Sequence, residues 1–309
     1  MSSFLQSKEW LDFQRSVGHE VFEYNKEGIR AGIIKHPLPL GKNYLYIPHG
    51  PEMDLNFMSG GIKNPVNNFT SYLKNLAKDN RSIFIKSEPH EDSIAQLIVN
   101  ADFKKSKKEL QPKKTVILDL ALGEDALLAN THHKTRYNIK VSERYGIVVE
   151  EKKDVEPFII MLNRTSKRDG FHTHPANYYR KLVSLSENKN NNQLDTRLFV
   201  AEYNGKPAAA ALILISSDIG YYLHGASDYN IRAVMAPYAL HWHVIKFLKS
   251  KNIKQYDMWG IDAKRWPGVT RFKLGWGGQV KEYPGAFDMV LSRFWYMGYN
   301  MARRILSPF

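Results

Sequence analysis

The segment Arg271, Phe272, Lys273, Leu274, Gly275, Trp276, Gly277, Gly278 places two cations and two aromatic rings among three glycines. Glycine lets backbone come close to a bound molecule, while arginine offers a planar fork of donors and lysine a compact charge. That combination suits an anion. GWGG is not a dinucleotide fingerprint, because it lacks the glycine spacing and the strand-to-helix setting. Upstream, Tyr256, Asp257, Met258, Trp259, Gly260, Ile261 and Asp262 read as a strand entering a loop, with carboxylates near both ends. Asp257 and Asp262 are the two carboxylates of this segment, and Asp262 lies nearer the loop. Either could cap or anchor local backbone. Arg271 suits a phosphate, whereas Phe272 and Trp276 could pack the site or stack on a sugar or base, with packing favoured.

Further cations recur elsewhere. Residues 124–145 have the apolar recurrence of a helix, on which Arg136, Lys140 and Arg144 fall every fourth residue and make a basic stripe after His132, His133 and Lys134. The stripe could face solvent or phosphate; no helix-turn-helix pattern surrounds it. Lys35 and His36 close a strand before Pro37, and Arg232 stands near a helix start, where backbone donors assist phosphate binding. For these, surface solvation is the alternative. The pairs His172/His174 and His241/His243 lack an HExxH arrangement, so packing or loop roles are expected and no metal. No serine has a nucleophile-elbow setting, and the chain has no cysteine, which excludes thiol catalysis and disulfides.

The elements that must carry these groups alternate between helix and strand. A first helix presents Trp10, Phe13, Gln14 and Val17, and extended segments follow at 21–24, 29–34 and 44–47, the last stopped by Pro48. Helix is expected at 67–79 and strands at 82–86 and 115–120. After Gly146 the order repeats: helices at 156–166 and 177–185, a hairpin of 196–203 with 207–216 across Asn204 and Gly205, a strand at 221–225, a helix at 233–250 and a strand at 255–260. The polar run 187–195 reads as a mobile surface loop. The chain is therefore expected to be α/β, in the mixed α+β sense, with two units. With 309 residues and 43% apolar content it can bury two cores. Its 44 Lys and Arg against 31 Asp and Glu leave +13, which favours anionic partners: nucleic acid, lipid headgroups or nucleotides. The amino-terminal segment reads as neither a signal peptide nor a membrane span, and a cytoplasmic location is expected.

Four segments, taken in order, resemble the FemABX family of peptidoglycan bridge-forming peptidyltransferases, which use aminoacyl-tRNA. They are YIPHGP from Tyr46, THHKTRYNIKVSERYGIVV from Thr131, YDMWGID from Tyr256 and RFKLGWGG from Arg271, and together they span nearly the whole chain. The resemblance implies two tandem GNAT-like acyltransferase domains, which we expect at 1–149, completed by 285–309, and at 150–284. It implies transfer of an amino acid from aminoacyl-tRNA to the amine of a stem peptide on a nucleotide-linked or lipid-linked precursor. No cofactor is then needed, the protein can work near the inner membrane face, and a monomer is favoured. It also implies that Lys273, the lysine of the FK pair, lies near the reacting ester and stabilises oxyanion or leaving-group charge. For that reaction Asp262, preferred, and Asp257 are candidates for holding or deprotonating the attacking amine, and Lys35, His36, Arg136, Arg232, Trp259, Arg271, Phe272 and Trp276 are expected to bind substrate. The long helical arm that some members insert in the second domain is not expected. Two alternatives stay open: an N-acyltransferase with another donor or acceptor, such as a coenzyme A thioester, and a noncatalytic tRNA- or precursor-binding protein.

Overall fold

A computed structural model describes residues 3–54, 63–187 and 194–306. The chain forms two compact units, Met1–Lys113 with Glu282–Phe309, and Lys114–Lys281.

The first unit begins with α1 (Lys8–Ser16), whose amino end is capped by the Ser7 hydroxyl accepting the Trp10 N–H. Strands β1 (Glu20–Lys26) and β2 (Ile29–Leu38) form a hairpin around Glu27 and Gly28, both at positive φ as a tight turn requires. Then come β3 (Lys42–His49), β4 (Glu52–Met53), α2 (Lys63–Asp79), β5 (Phe84–Pro89), α3 (Asp92–Val99) and β6 (Lys104–Lys105). The sheet order is β1-β2-β3-β5, and β3 and β5 run parallel from Leu45↔Ile85 to His49↔Pro89. Ile33, Leu45, Ile47, Phe69, Leu73 and Ile85 centre its core.

The second unit comprises β7 (Lys114–Asp119), α4 (Glu124–Asn130), α5 (His133–Arg144), β8 (Val148–Glu151), α6 (Glu156–Asp169), α7 (Ala176–Val183), β9 (Leu194–Tyr203), β10 (Lys206–Ser216), β11 (Ile219–Ser227), α8 (Ala236–Ser250), β12 (Gln255–Gly260), α9 (Pro267–Leu274) and β13 (Gln279–Glu282). The β9–β10 hairpin turns through Asn204 and Gly205, both at positive φ. The sheet order is β13-β7-β12-β11-β10-β9-β8. The chain then returns to the first unit as β14 (Phe287–Val290), paired with β5 and β6, and α10 (Arg293–Leu306).

Two expectations are corrected. The change of unit falls at Lys113 and not at 149/150, because β7 pairs with β12 and Leu118, Leu120, Leu127 and Ile139 enter the second core. The helix expected over 124–145 is two, broken at Thr131 and His132, where the His132 Nδ1 accepts the Lys134 N–H and starts α5. Among the described residues the longest helix of the second unit is α8, at 15 residues, so that unit has no long helical arm. Most of the 187–195 run lies outside the described residues.

Candidate active site

The parallel strands β11 and β12 are paired only at Ile219↔Gln255, Gly220↔Tyr256 and Tyr221↔Asp257. Beyond Tyr221, β11 stays with β10 as far as Ser227, so it is β12 that parts from it. Both strands are irregular here. The register of β12 against β7 shifts between Asp257 and Gly260, and that of β11 against β10 shifts beside Tyr222.

Lys273 occupies the point of parting. It lies in the last turn of α9, is only 7% exposed, and its Nζ donates to the Gly260 carbonyl at 2.8 Å while sitting 5.3 Å from the Tyr222 ring centroid. Among the described residues its ammonium has no other hydrogen-bond partner. Burial lowers its pKa to about 8, with the Asp257 carboxylate opposing the shift. Asp257 is itself buried, and desolvation raises it to about 6 against the Thr115 hydroxyl, the Trp259 N–H at 2.7 Å and the charges of Lys273 and Lys281. The two ionised groups therefore support each other in a site that opposes both.

Trp259, half-buried between them in sequence, has φ +59, a conformation a bulky side chain rarely adopts. Its N–H bond to Asp257 holds that turn, and its ring meets Tyr221 edge-on at 5.8 Å. Phe272 and Trp276, expected to bind substrate, are packed against neighbouring rings. Phe272 is edge-on to Tyr238 at 5.1 Å and to His241 at 5.2 Å, and Trp276 is 1% exposed. His241, on α8, shares a 2.8 Å hydrogen bond between its Nδ1 and the Tyr256 hydroxyl; burial, then the Lys273 charge, push its pKa down to about 3. The neutral histidine therefore adds no positive charge beside Lys273.

The glycine cluster joins two of the sequence segments. His132 N–H donates to the Gly275 carbonyl at 2.8 Å, Gly277 has φ +78 and stands against the Asn130 carbonyl, and a Cβ on Gly278 would lie 2.7 Å from the Ile117 carbonyl. The glycines are required by this close packing of the α9 exit on the α4–α5 break.

The other candidates are placed less centrally. Asp262 is exposed, and its carboxylate accepts the N–H groups of Lys264 at 2.9 Å and Arg265 at 3.0 Å, capping the turn before α9. Arg136 directs Nη1 at the carbonyls of Leu128, Ala129 and Thr131, closing the end of α4. Arg232 is exposed and stacks over the Tyr229 ring at 4.2 Å; Arg271 is exposed on α9. Lys35 and His36 belong to the first unit. Lys35 binds Glu20 at 2.7 Å and Asn80 at 2.9 Å, and His36 stacks on Tyr44 at 5.1 Å, its pKa lowered to about 4 by burial. Reading the sequence missed Tyr222 and His241 as neighbours of Lys273, and Tyr256 as the partner of His241. It also missed α9, although Pro267 just before the apolar and basic run is a helix-start signal.

A buried cation with unused donors, set where two parallel strands diverge, can stabilise negative charge on an acyl group held there. Two mixed sheets in tandem, the second carrying such a site, make a tandem GNAT-like acyltransferase architecture. A sequence model of the FemAB family matches residues 1–108, 100–194 and 184–304, and the chain belongs to that family. A lipid II:glycine glycyltransferase of Staphylococcus epidermidis is 23% identical, the match covering 94% of this chain and 88% of that protein. The crystal structure of FemX shares the fold with a TM-score of 0.78 at 18% identity, over 96% of this chain and 94% of that one. A tandem GNAT protein from the clavulanic acid biosynthesis pathway shares it at 0.57 and 9% identity, over 91% and 93%. The chain is accordingly a transferase that forms an amide bond.

Proposed function

We propose that the protein transfers an aminoacyl group from aminoacyl-tRNA to the stem-peptide amine of a lipid-linked peptidoglycan precursor. The observation that carries this reading is Lys273, buried where β11 and β12 part, with one N–H spent on Gly260 and the rest unspent. The neutral acceptor amine attacks the ester carbonyl carbon. The new carbon–nitrogen bond forms, the carbon–oxygen bond to the terminal ribose breaks, and the proton lost by nitrogen ends on the ribose oxygen. Lys273 stabilises the oxyanion or the departing oxygen, a contribution that exists only as charge develops and so accelerates the step. Asp257 keeps Lys273 protonated. Asp262, committed to its turn, shapes the entry to α9 in place of the base role expected for it. Exposed Arg271 and Arg232 are the proposed phosphate contacts, while Arg136 serves the α4 end. The donor ester is already activated, so no nucleotide is hydrolysed. The match to lipid II:glycine glycyltransferases supports the lipid-linked acceptor.

Purified protein is incubated with charged tRNA and a panel of lipid-linked and nucleotide-linked stem peptides, and the acceptors are weighed by mass spectrometry. The expected result is an acceptor heavier by one or more amino-acid residues, dependent on charged tRNA and reduced on the order of 100- to 1,000-fold in Lys273→Ala. Acceptor binding without any adduct, across all charged tRNAs, would overturn it in favour of a binding role.

A further inference from the structure

Helix α10 of the first unit has two unlike faces. Trp295, Tyr296 and Tyr299 pack against Tyr44 and Phe84, and the Tyr296 hydroxyl donates to buried Asp288 at 2.7 Å, so the helix is firmly seated. The opposite face carries Phe294, Met297 and Met301 in one stripe, 74%, 62% and 63% exposed. Large side chains so open, aligned on a helix that is already anchored, form a surface suited to a partner.

Trp295, whose ring meets Phe294 of the stripe edge-on at 5.6 Å, also lines a groove of about 430 Å³ together with Lys42, Lys74, Lys78, Arg81 and Leu291. Among the described residues no carboxylate lines it. Lys42 lies over the Trp295 ring at 4.5 Å and Lys74 pairs with Asp102 at 2.8 Å, while Arg293 adds an exposed cation at the start of α10. An apolar helical stripe bordered by cations, with tryptophan at the boundary, is the chemistry of a helix lying in a membrane interface.

We propose that α10 and this groove dock the protein on an anionic lipid bilayer, with Phe294, Met297 and Met301 entering the acyl boundary and the groove cations meeting headgroup phosphates. A second copy fits poorly, because apposing this face on itself sets Lys42, Lys78 and Arg81 against the same cations, with only Lys74 paired to a carboxylate. Docking does not depend on the transfer reading, and its test uses neither donor nor acceptor, so either idea can fail alone.

The test is sedimentation of the full chain with phosphatidylcholine vesicles and with vesicles containing phosphatidylglycerol. Binding to anionic vesicles is expected to be at least about tenfold tighter and to weaken with salt. Met297→Glu combined with Met301→Glu, on the open face, should lower vesicle binding about tenfold or more with an unchanged circular dichroism spectrum. Lys78→Glu with Arg81→Glu should abolish the preference for anionic lipid. Equal sedimentation of native protein and both variants overturns the proposal. So does glycerol phosphate binding in the groove without vesicle binding, or a dimer in light scattering that the Met297→Glu variant dissolves.

Discussion

Replacing Lys273 by methionine should make the protein more stable at neutral pH while removing its activity. Burial moves the ammonium from the ordinary 10.5 to about 8, which corresponds to about 3 kcal/mol against the charged form at pH 7. Methionine fills a similar volume without charge, loses the Gly260 hydrogen bond at about 1 kcal/mol, and leaves Asp257 without its cation. The net gain expected at pH 7 is on the order of 1 kcal/mol, or a few degrees in melting temperature. The sign with pH follows from the same values. Between pH 8 and 10.5 the unfolded chain holds a proton the folded one has released, so native stability rises through that window and the variant's advantage shrinks. Calorimetry of both proteins from pH 7 to 10.5 measures this directly. A variant that is less stable at pH 7, or a difference that stays flat to pH 10.5, would refute the account of Lys273 as a destabilising, functionally retained charge.

Asp257 ionises at about 6 and Lys273 loses its proton at about 8, so kcat/KM should fall below about pH 6 as the pair loses its carboxylate; Asp257→Asn should remove that acid limb from the pH–rate profile. Arg136→Met should lower stability in urea unfolding by about 1–3 kcal/mol, since a cation leaves three carbonyls at the α4 end; a weakened substrate affinity with unchanged stability would restore the phosphate role instead. Gly277→Ala, at φ +78 against the Asn130 carbonyl, should cost at least about 2 kcal/mol by the same assay, and normal stability would show that this turn relaxes freely.

What could be read in the chain was local. Alternating apolar residues located most strands, Asn204-Gly205 specified its hairpin, and RFKLGWGG marked the segment that carries Lys273. The unit boundary was not local: β7 is shown to belong to the second sheet only by its pairing with β12, a contact between distant parts of the chain. The same limit explains the preference for Asp262 over Asp257. A loop carboxylate looks available, yet a short aspartate followed by backbone N–H groups two and three residues on tends to cap its own turn. Asp257, by contrast, stands between Tyr256 and Met258, both fully buried, in a strand covered on both faces. A carboxylate in such a strand must find donors or a cation or lose its charge, and Thr115, Trp259 and Lys273 are what it finds. The buried aspartate in an apolar strand thus favours the charged form of the lysine in the following helix, which burial opposes. That support acts on a cation whose one hydrogen bond, among the described residues, goes to the Gly260 carbonyl.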